Sequence, residues 1–172
     1  MIKISVMLLT AVFLISFDSI QNPASAQAVY ELKFNSPQLL QKGQQLLKEG
    51  DTVGAQRVYK KVLKSNLTTF QTARAHNGLC VAFIIEEVWQ TALEHCDKAI
   101  RIYPQNWRFY NNRGNIFLET GMLKQAISEY EKGLKFSPRS NIIKNNLDIA
   151  QARLSAQLNS DNLEKQKSTT NI

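Results

Sequence analysis

Residues 106–138 read NWRFYNNRGNIFLETGMLKQAISEYEKGLKFSP. Apolar residues recur at helical spacing on both sides of Thr120-Gly121, and Pro138 follows the second run. Glycine tolerates the left-handed backbone of a helix end, and proline cannot continue a helix interior. The stretch therefore predicts two short amphipathic helices joined by a tight turn. Its frame is Tyr110-x2-Arg113-Gly114-x2-Phe117, then Ala126-x3-Tyr130, then Pro138.

The frame recurs. Thirty-four residues earlier stand His76, Leu79, Cys80 and Phe83, then Ala92 and Cys96, then Pro104. Thirty-seven residues before those stand Leu39, Lys42, Gly43 and Leu46, then Ala55 and Tyr59, then Leu67. The polar joint at 65–72 (SNLTTFQT) is three residues longer than the later one and accounts for the difference. A repeat of this size cannot bury its apolar face alone, and about three stacked copies are needed for stability. Small residues pair where the two helices of a copy approach: Gly43 with Ala55, Cys80 with Ala92, Gly114 with Ala126. A larger side chain there would overpack the contact and cost about 1–3 kcal/mol.

Several positions recurring together make the chain resemble the tetratricopeptide-repeat (TPR) family over about residues 36–157. The resemblance implies an all-α, right-handed α-solenoid of three helix-turn-helix repeats plus a capping helix. The repeats are expected at 36–69, 73–106 and 107–140, within a domain of residues 36–158. Departures are plain. Lys42 and Arg113 stand where the family usually has Leu, Tyr110 where it has Trp, and Leu67 where it has Pro. Arg113 must lift its charge to water along a packed stem or pair with a carboxylate.

Outside the repeats, Ser36-Pro37 is a helix start signal, and Gly50-Asp51 breaks the first pair. Val53, Val58, Val62 and Leu63 are expected inside the next helix. Glu86-Glu87-Val88 is a turn without glycine. From Ser140 a helix with Ile143, Leu147, Ala150 and Leu154 on one face would close the array at 141–158. Residues 159–172 (NSDNLEKQKSTTNI) are polar and aperiodic, which predicts a disordered tail.

The N-terminus has the parts of a secretory signal peptide: Lys3, an apolar run from Val6 to Phe17, then Pro23 and Ala24-Ser25-Ala26. The reading assigns 1–26 to the signal and 27–35 to a lead-in. Cleavage after Ala26 is the first choice and after Ala28 the second. The product would be exported, periplasmic or secreted. The alternative is a chain anchored in the membrane by an uncleaved signal, which the shortness of the run disfavours. Net charge is +7. The signal carries only Lys3 and Asp18, so its removal leaves that balance. Such a charge suits acidic partners or anionic surfaces. Nucleic acid conflicts with export and is not expected.

In the TPR family the first helices of each pair line a concave cradle that binds peptide segments, often extended, without chemistry. On that side Asn77, Asn111 and Asn145 recur at 34 residues, as do Arg74 and Arg108, and Asn115 lies one turn after Asn111. An amide both donates and accepts, so a ladder of amides would grip a peptide backbone whatever its side chains. The arginines would add charge-assisted bonds to a carboxylate. The competing reading is a solvated helix surface. The Lys/Asn/Arg clamp that one TPR subclass uses for a terminal carboxylate is not carried over. Leu40, Gln44, Gly78 and Asn112 occupy its positions. Val81, Ile84 and Leu118 would form an apolar floor or pack within the stack.

Cys80 and Cys96 fall in one helical pair. A disulfide fits an oxidising compartment, but antiparallel pairing puts Cys80 nearest Ala92, so two buried thiols are the competing reading. A metal site with His76 would lack an evident fourth ligand. No catalytic set and no Gly-rich phosphate loop is present, and the sequence asks for no cofactor. A redox accessory or maturation role in an envelope assembly would require the cysteines to be at least partly exposed. Arg57, Lys60, Lys61 and Lys64 form a convex stripe. It suits peripheral contact with a membrane or membrane protein, or it is simply solvated.

Overall fold

The computed structural model describes residues 37–170. The expected export signal with its cleavage point, and the lead-in at 27–35, lie outside them. The elements are α1 (37–48), α2 (Thr52–Val62), α3 (Thr69–Ile85), α4 (Trp89–Ile102), α5 (Trp107–Glu119), α6 (Leu123–Phe136) and α7 (Asn141–Thr170). Helix ends follow local chemistry. Asp51 accepts the Gly54 amide at 2.7 Å, and Asn106 accepts that of Arg108 at 3.1 Å. Thr68 and Gln71 satisfy each other's orphan amides as a capping box at the start of α3. Pro104 and Pro138 follow α4 and α6.

Helices pair as α1–α2, α3–α4 and α5–α6, and α7 lies over α6. First helices also stack on first helices, α3 on α5 and α5 on α7, which is the solenoid arrangement. Among the described residues four apolar clusters run along the stack rather than one central core. Leu40, Ala55, Tyr59, Val62, Ala75 and Leu79 join the first pair to α3. Leu118, Leu123, Ala126, Tyr130, Ile143 and Ala150 join the last pair to α7. The expected small-residue contacts turn on two tyrosines. A Cβ on Gly43 would lie 2.6 Å from the Tyr59 ring, and one on Gly114 would lie 2.5 Å from that of Tyr130.

Two expectations need correction. Val53 is exposed, because it sits on the outer side of the first turn of α2. The cap does not stop near 158 before a disordered tail: α7 continues to Thr170. Ile143, Leu147, Ala150 and Leu154 dock its first turns, which removes the nucleation cost. Propagation then adds one hydrogen bond per residue, and neither Gly nor Pro interrupts 141–170.

Candidate functional site

A groove of about 520 Å³ opens on the wall built by the first helices. Gln44, Leu47 and Lys48 come from α1, Phe70, Arg74, Asn77, Gly78 and Val81 from α3, and Arg108 and Phe109 from α5. Asn106, the N-cap of α5, and Tyr59, the one contribution from a second helix, complete the lining. The cations are Lys48, Arg74 and Arg108, and no carboxylate lines the groove. Phe70 and Trp107 carry the two guanidinium groups, Arg74 at 5.8 Å and Arg108 at 4.4 Å from the ring centroids.

Of the sequence-derived site, Arg74, Asn77 and Arg108 share this groove. Asn111 and Asn115 instead hold the wall together. Asn112 donates to Asn77 Oδ1 at 2.8 Å, and Asn146 donates to Asn111 Oδ1 at 2.9 Å. Each bond ties one first helix to the next. Asn146 also reaches Asn115 Oδ1 at 3.2 Å, which accepts the Tyr130 hydroxyl at 2.9 Å. Asn111 is buried. Asn145 is exposed, and its neighbour Asn146 occupies the ladder position expected of it. The ladder is thus an inter-repeat clasp, and the expected row of free amides is not formed. Lys48, Phe70 and Tyr59 are groove residues that sequence reasoning missed. Asn112 and Asn146 recur at 34 as regularly as Asn77, Asn111 and Asn145. Val81 lines the groove as expected, while Leu118 and Ile84 pack in the stack.

Tyr59 is 1% exposed, its ring held between Gly43 and Gly78. Burial pushes its hydroxyl up to about 12, with nearby Arg74 opposing. The group is a proton-bearing donor across the physiological range. Burial likewise raises the hydroxyl of Tyr130.

Away from the groove, Arg113 finds the carboxylates its position demands. It meets Glu129 at 2.7 Å and Asp97 at 2.7 Å, and Lys132 closes on Glu129 at 2.7 Å. Burial works against the Arg113 charge, but the bonds to Asp97 and Glu129 outweigh it and raise its pKa. Cys80 and Cys96 form a disulfide with Cα atoms 5.2 Å apart, inside the bridgeable range. Both residues are fully buried. Their sulfurs are spent on each other, so the conceivable His/Cys/Cys metal set is not available. Among the described residues no group of three or more His, Cys, Asp or Glu is placed to hold a metal. His76 instead meets His95, Nδ1 to Nδ1 at 3.1 Å. No helix among the described residues is long and apolar enough to cross a membrane. In the basic stripe, Lys60 lies 5.8 Å from the Phe83 ring centroid.

The tetratricopeptide-repeat family model matches residues 95–128. Mouse sperm-associated antigen 1 is 28% identical over 106 residues, covering 62% of this chain and 11% of that protein. The chain spans between 11% and 23% of the length of the curated relatives it matches. The first TPR domain of human RPAP3 superposes with a TM-score of 0.65 at 21% identity, covering 73% of this chain and 96% of that one. The first TPR of Spaghetti (RPAP3), bound to the HSP90 peptide SRMEEVD, gives 0.64 at 20% identity over 70% and 96%. Residues 95–128 thus match a tetratricopeptide repeat, and the helices of the chain stack with the fold of TPR domains.

Proposed function

We propose that this protein is a non-enzymatic scaffold that holds an extended segment of another protein in the groove between α1, α3 and α5, and that it works in the cell envelope after export. The observation that carries the first part is the lining. Arg74, Asn77, Arg108 and Lys48 offer donors and positive charge, Leu47, Val81 and Phe109 offer apolar floor, and no lining group is acidic. A groove of this kind matches the backbone carbonyls and acidic side chains of an extended chain. The structurally similar first TPR of Spaghetti was solved with an acidic peptide, which supports a peptide as the kind of ligand. Export is supported by the N-terminal pattern and by the buried disulfide, a bond that persists in oxidising compartments.

The test is capture of cell-envelope proteins on the immobilised chain, beside an Arg74→Glu/Arg108→Glu variant. The expected result is a partner retained by the wild type and lost from the variant. Equal retention by both would remove the groove from the account. Export is read independently: the N-terminal sequence of the native protein should start at Gln27, and an uncleaved Met1 in the cytoplasmic fraction would refute it.

A further inference from the structure

We propose that the Tyr59 hydroxyl is the specificity group of this groove, donating to a side-chain carboxylate of an acidic, extended peptide; the inference rests on the groove reading above. Tyr59 and Tyr130 are repeat equivalents, each passing from a second helix between neighbouring first helices. Their hydroxyls end differently. That of Tyr130 is used inside the protein, donating to Asn115 Oδ1 at 2.9 Å. That of Tyr59 has no hydrogen-bond partner among the described residues, although the residue is 99% buried and lines the groove. The oxygen is not sealed, since every fully enclosed side-chain N or O among the described residues has a partner. It therefore opens on the groove.

Two absences of side chain make this possible. Gly43 and Gly78 flank the ring, and a Cβ on Gly78 would lie 2.2 Å from its outer edge. The repeat equivalents of Gly78 are Asn112 and Asn146, which fill the same place with amides that clasp the neighbouring helix. At the first two repeats the amide is missing and a phenol faces outward instead. Arg74 lines the same groove and stands close enough to act on the Tyr59 charge state, so hydroxyl and guanidinium serve one groove. Both are donors, which fits an anionic oxygen.

The occupant is an acidic side chain rather than a chain end. Lys48, Arg74 and Arg108 come from three successive first helices, and stacked helices stand about 8–10 Å apart. One terminal carboxylate cannot serve cations spread over two such spacings. A segment with several acidic residues can.

The experiment uses an acetylated, amidated Glu-Leu repeat peptide of about nine residues, long enough to cross three stacked helices. Its Gln-Leu counterpart, capped and with a free C-terminal carboxylate, supplies the controls. Binding to wild type, Tyr59→Phe, Tyr130→Phe and Arg74→Ala proteins is followed by fluorescence anisotropy. Tyr59→Phe removes one oxygen and keeps the ring packed, and its melting curve reports that the fold is kept. The Glu-Leu peptide should bind the wild type and lose about tenfold in affinity to Tyr59→Phe, as expected for a bond to a charged group. Tyr130→Phe should bind like the wild type, and the capped Gln-Leu peptide should not distinguish the proteins. If Arg74→Ala weakens the Glu-Leu peptide and Tyr59→Phe does not, the groove stands and the role of Tyr59 falls. If the free-carboxylate peptide binds and the capped Glu-Leu peptide does not, the ligand is a chain end and the inference is overturned. If the wild type binds none of them, both the inference and the groove reading fall.

Discussion

Cys80 and Cys96 are bonded at the repeat position where, in the other two repeats, a glycine receives a tyrosine ring. Gly43 faces Tyr59, Gly114 faces Tyr130, and between them the sequence swaps a packing contact for a covalent one. The bridge closes a sequence separation of 16, for which the chain-entropy model gives about 3 kcal/mol. Cys80→Ala/Cys96→Ala should lower the unfolding free energy by about that amount, read from urea denaturation. Dithiothreitol should shift the wild type toward the variant and leave the variant unmoved. Cys80→Gly/Cys96→Tyr should recover part of the loss by copying the neighbours. Cys96→Tyr alone should not, because the Cβ of residue 80 would meet the new ring.

The turn between α3 and α4 has a strained residue. Glu87 has φ 58°, and its equivalents Gly50 and Gly121 have φ 80° and 75°. A side chain in the left-handed region costs on the order of 1 kcal/mol. Glu87→Gly should therefore stabilise the protein by about 1 kcal/mol, measured as a rise in the denaturation midpoint. Gly121→Ala should move it the other way.

The repeat frame was legible because overpacking forbids substitution at Gly43, Ala55, Gly114 and Ala126 whatever the rest of the sequence does. The wall of the cradle was half legible. Two asparagine columns recur at 34 residues, and a one-residue step turns a helical side chain by about 100°. Spacing alone could not say that Asn146 rather than Asn145 reaches back to Asn111. Tyr59 read as a packing residue, which it is. That its hydroxyl emerges on the far side depends on Gly43 and Gly78 flanking one ring from two different helices. The polarity of 159–170 reads as disorder, whereas a docked helix without Gly or Pro continues past its own contacts.

Arg113 replaces an apolar residue in the frame, and it is half-buried against the buried Glu129. Removing one member of a fully buried pair strands the other charge, at about 3–5 kcal/mol, but here Lys132 still pairs with Glu129 when Arg113 is gone. Arg113→Leu alone should destabilise the protein by part of that loss. Arg113→Leu/Glu129→Leu should recover most of it, since replacing both charges by packed apolar side chains is often neutral or stabilising. Urea midpoints of the two variants decide it. A double variant no better than the single one would mean that the Asp97 contact, not Glu129, carries the pair.

His76 and His95 meet Nδ1 to Nδ1 at 3.1 Å, a spacing that accommodates one shared proton but not two. Burial, then the partner imidazole and Lys98, lower the His76 pKa from 6.5 to about 4. Burial, then Lys98 of α4 and Lys60 of α2, lower that of His95. The unfolded chain takes up these protons near pH 6.5, before the folded chain does. Between the two values the unfolded state binds more protons, so stability falls as pH drops. It should be full above the unfolded pKa and decline until the pH reaches about 4, where folded His76 also protonates. Urea midpoints at about pH 7 and about pH 4.5 should show the decline. His76→Gln/His95→Gln replaces the pair with amides that can still bond each other and do not titrate. Its midpoint should fall less over the same interval, the remaining slope coming from carboxylates. A double variant with the wild-type slope would show that the acid sensitivity lies elsewhere.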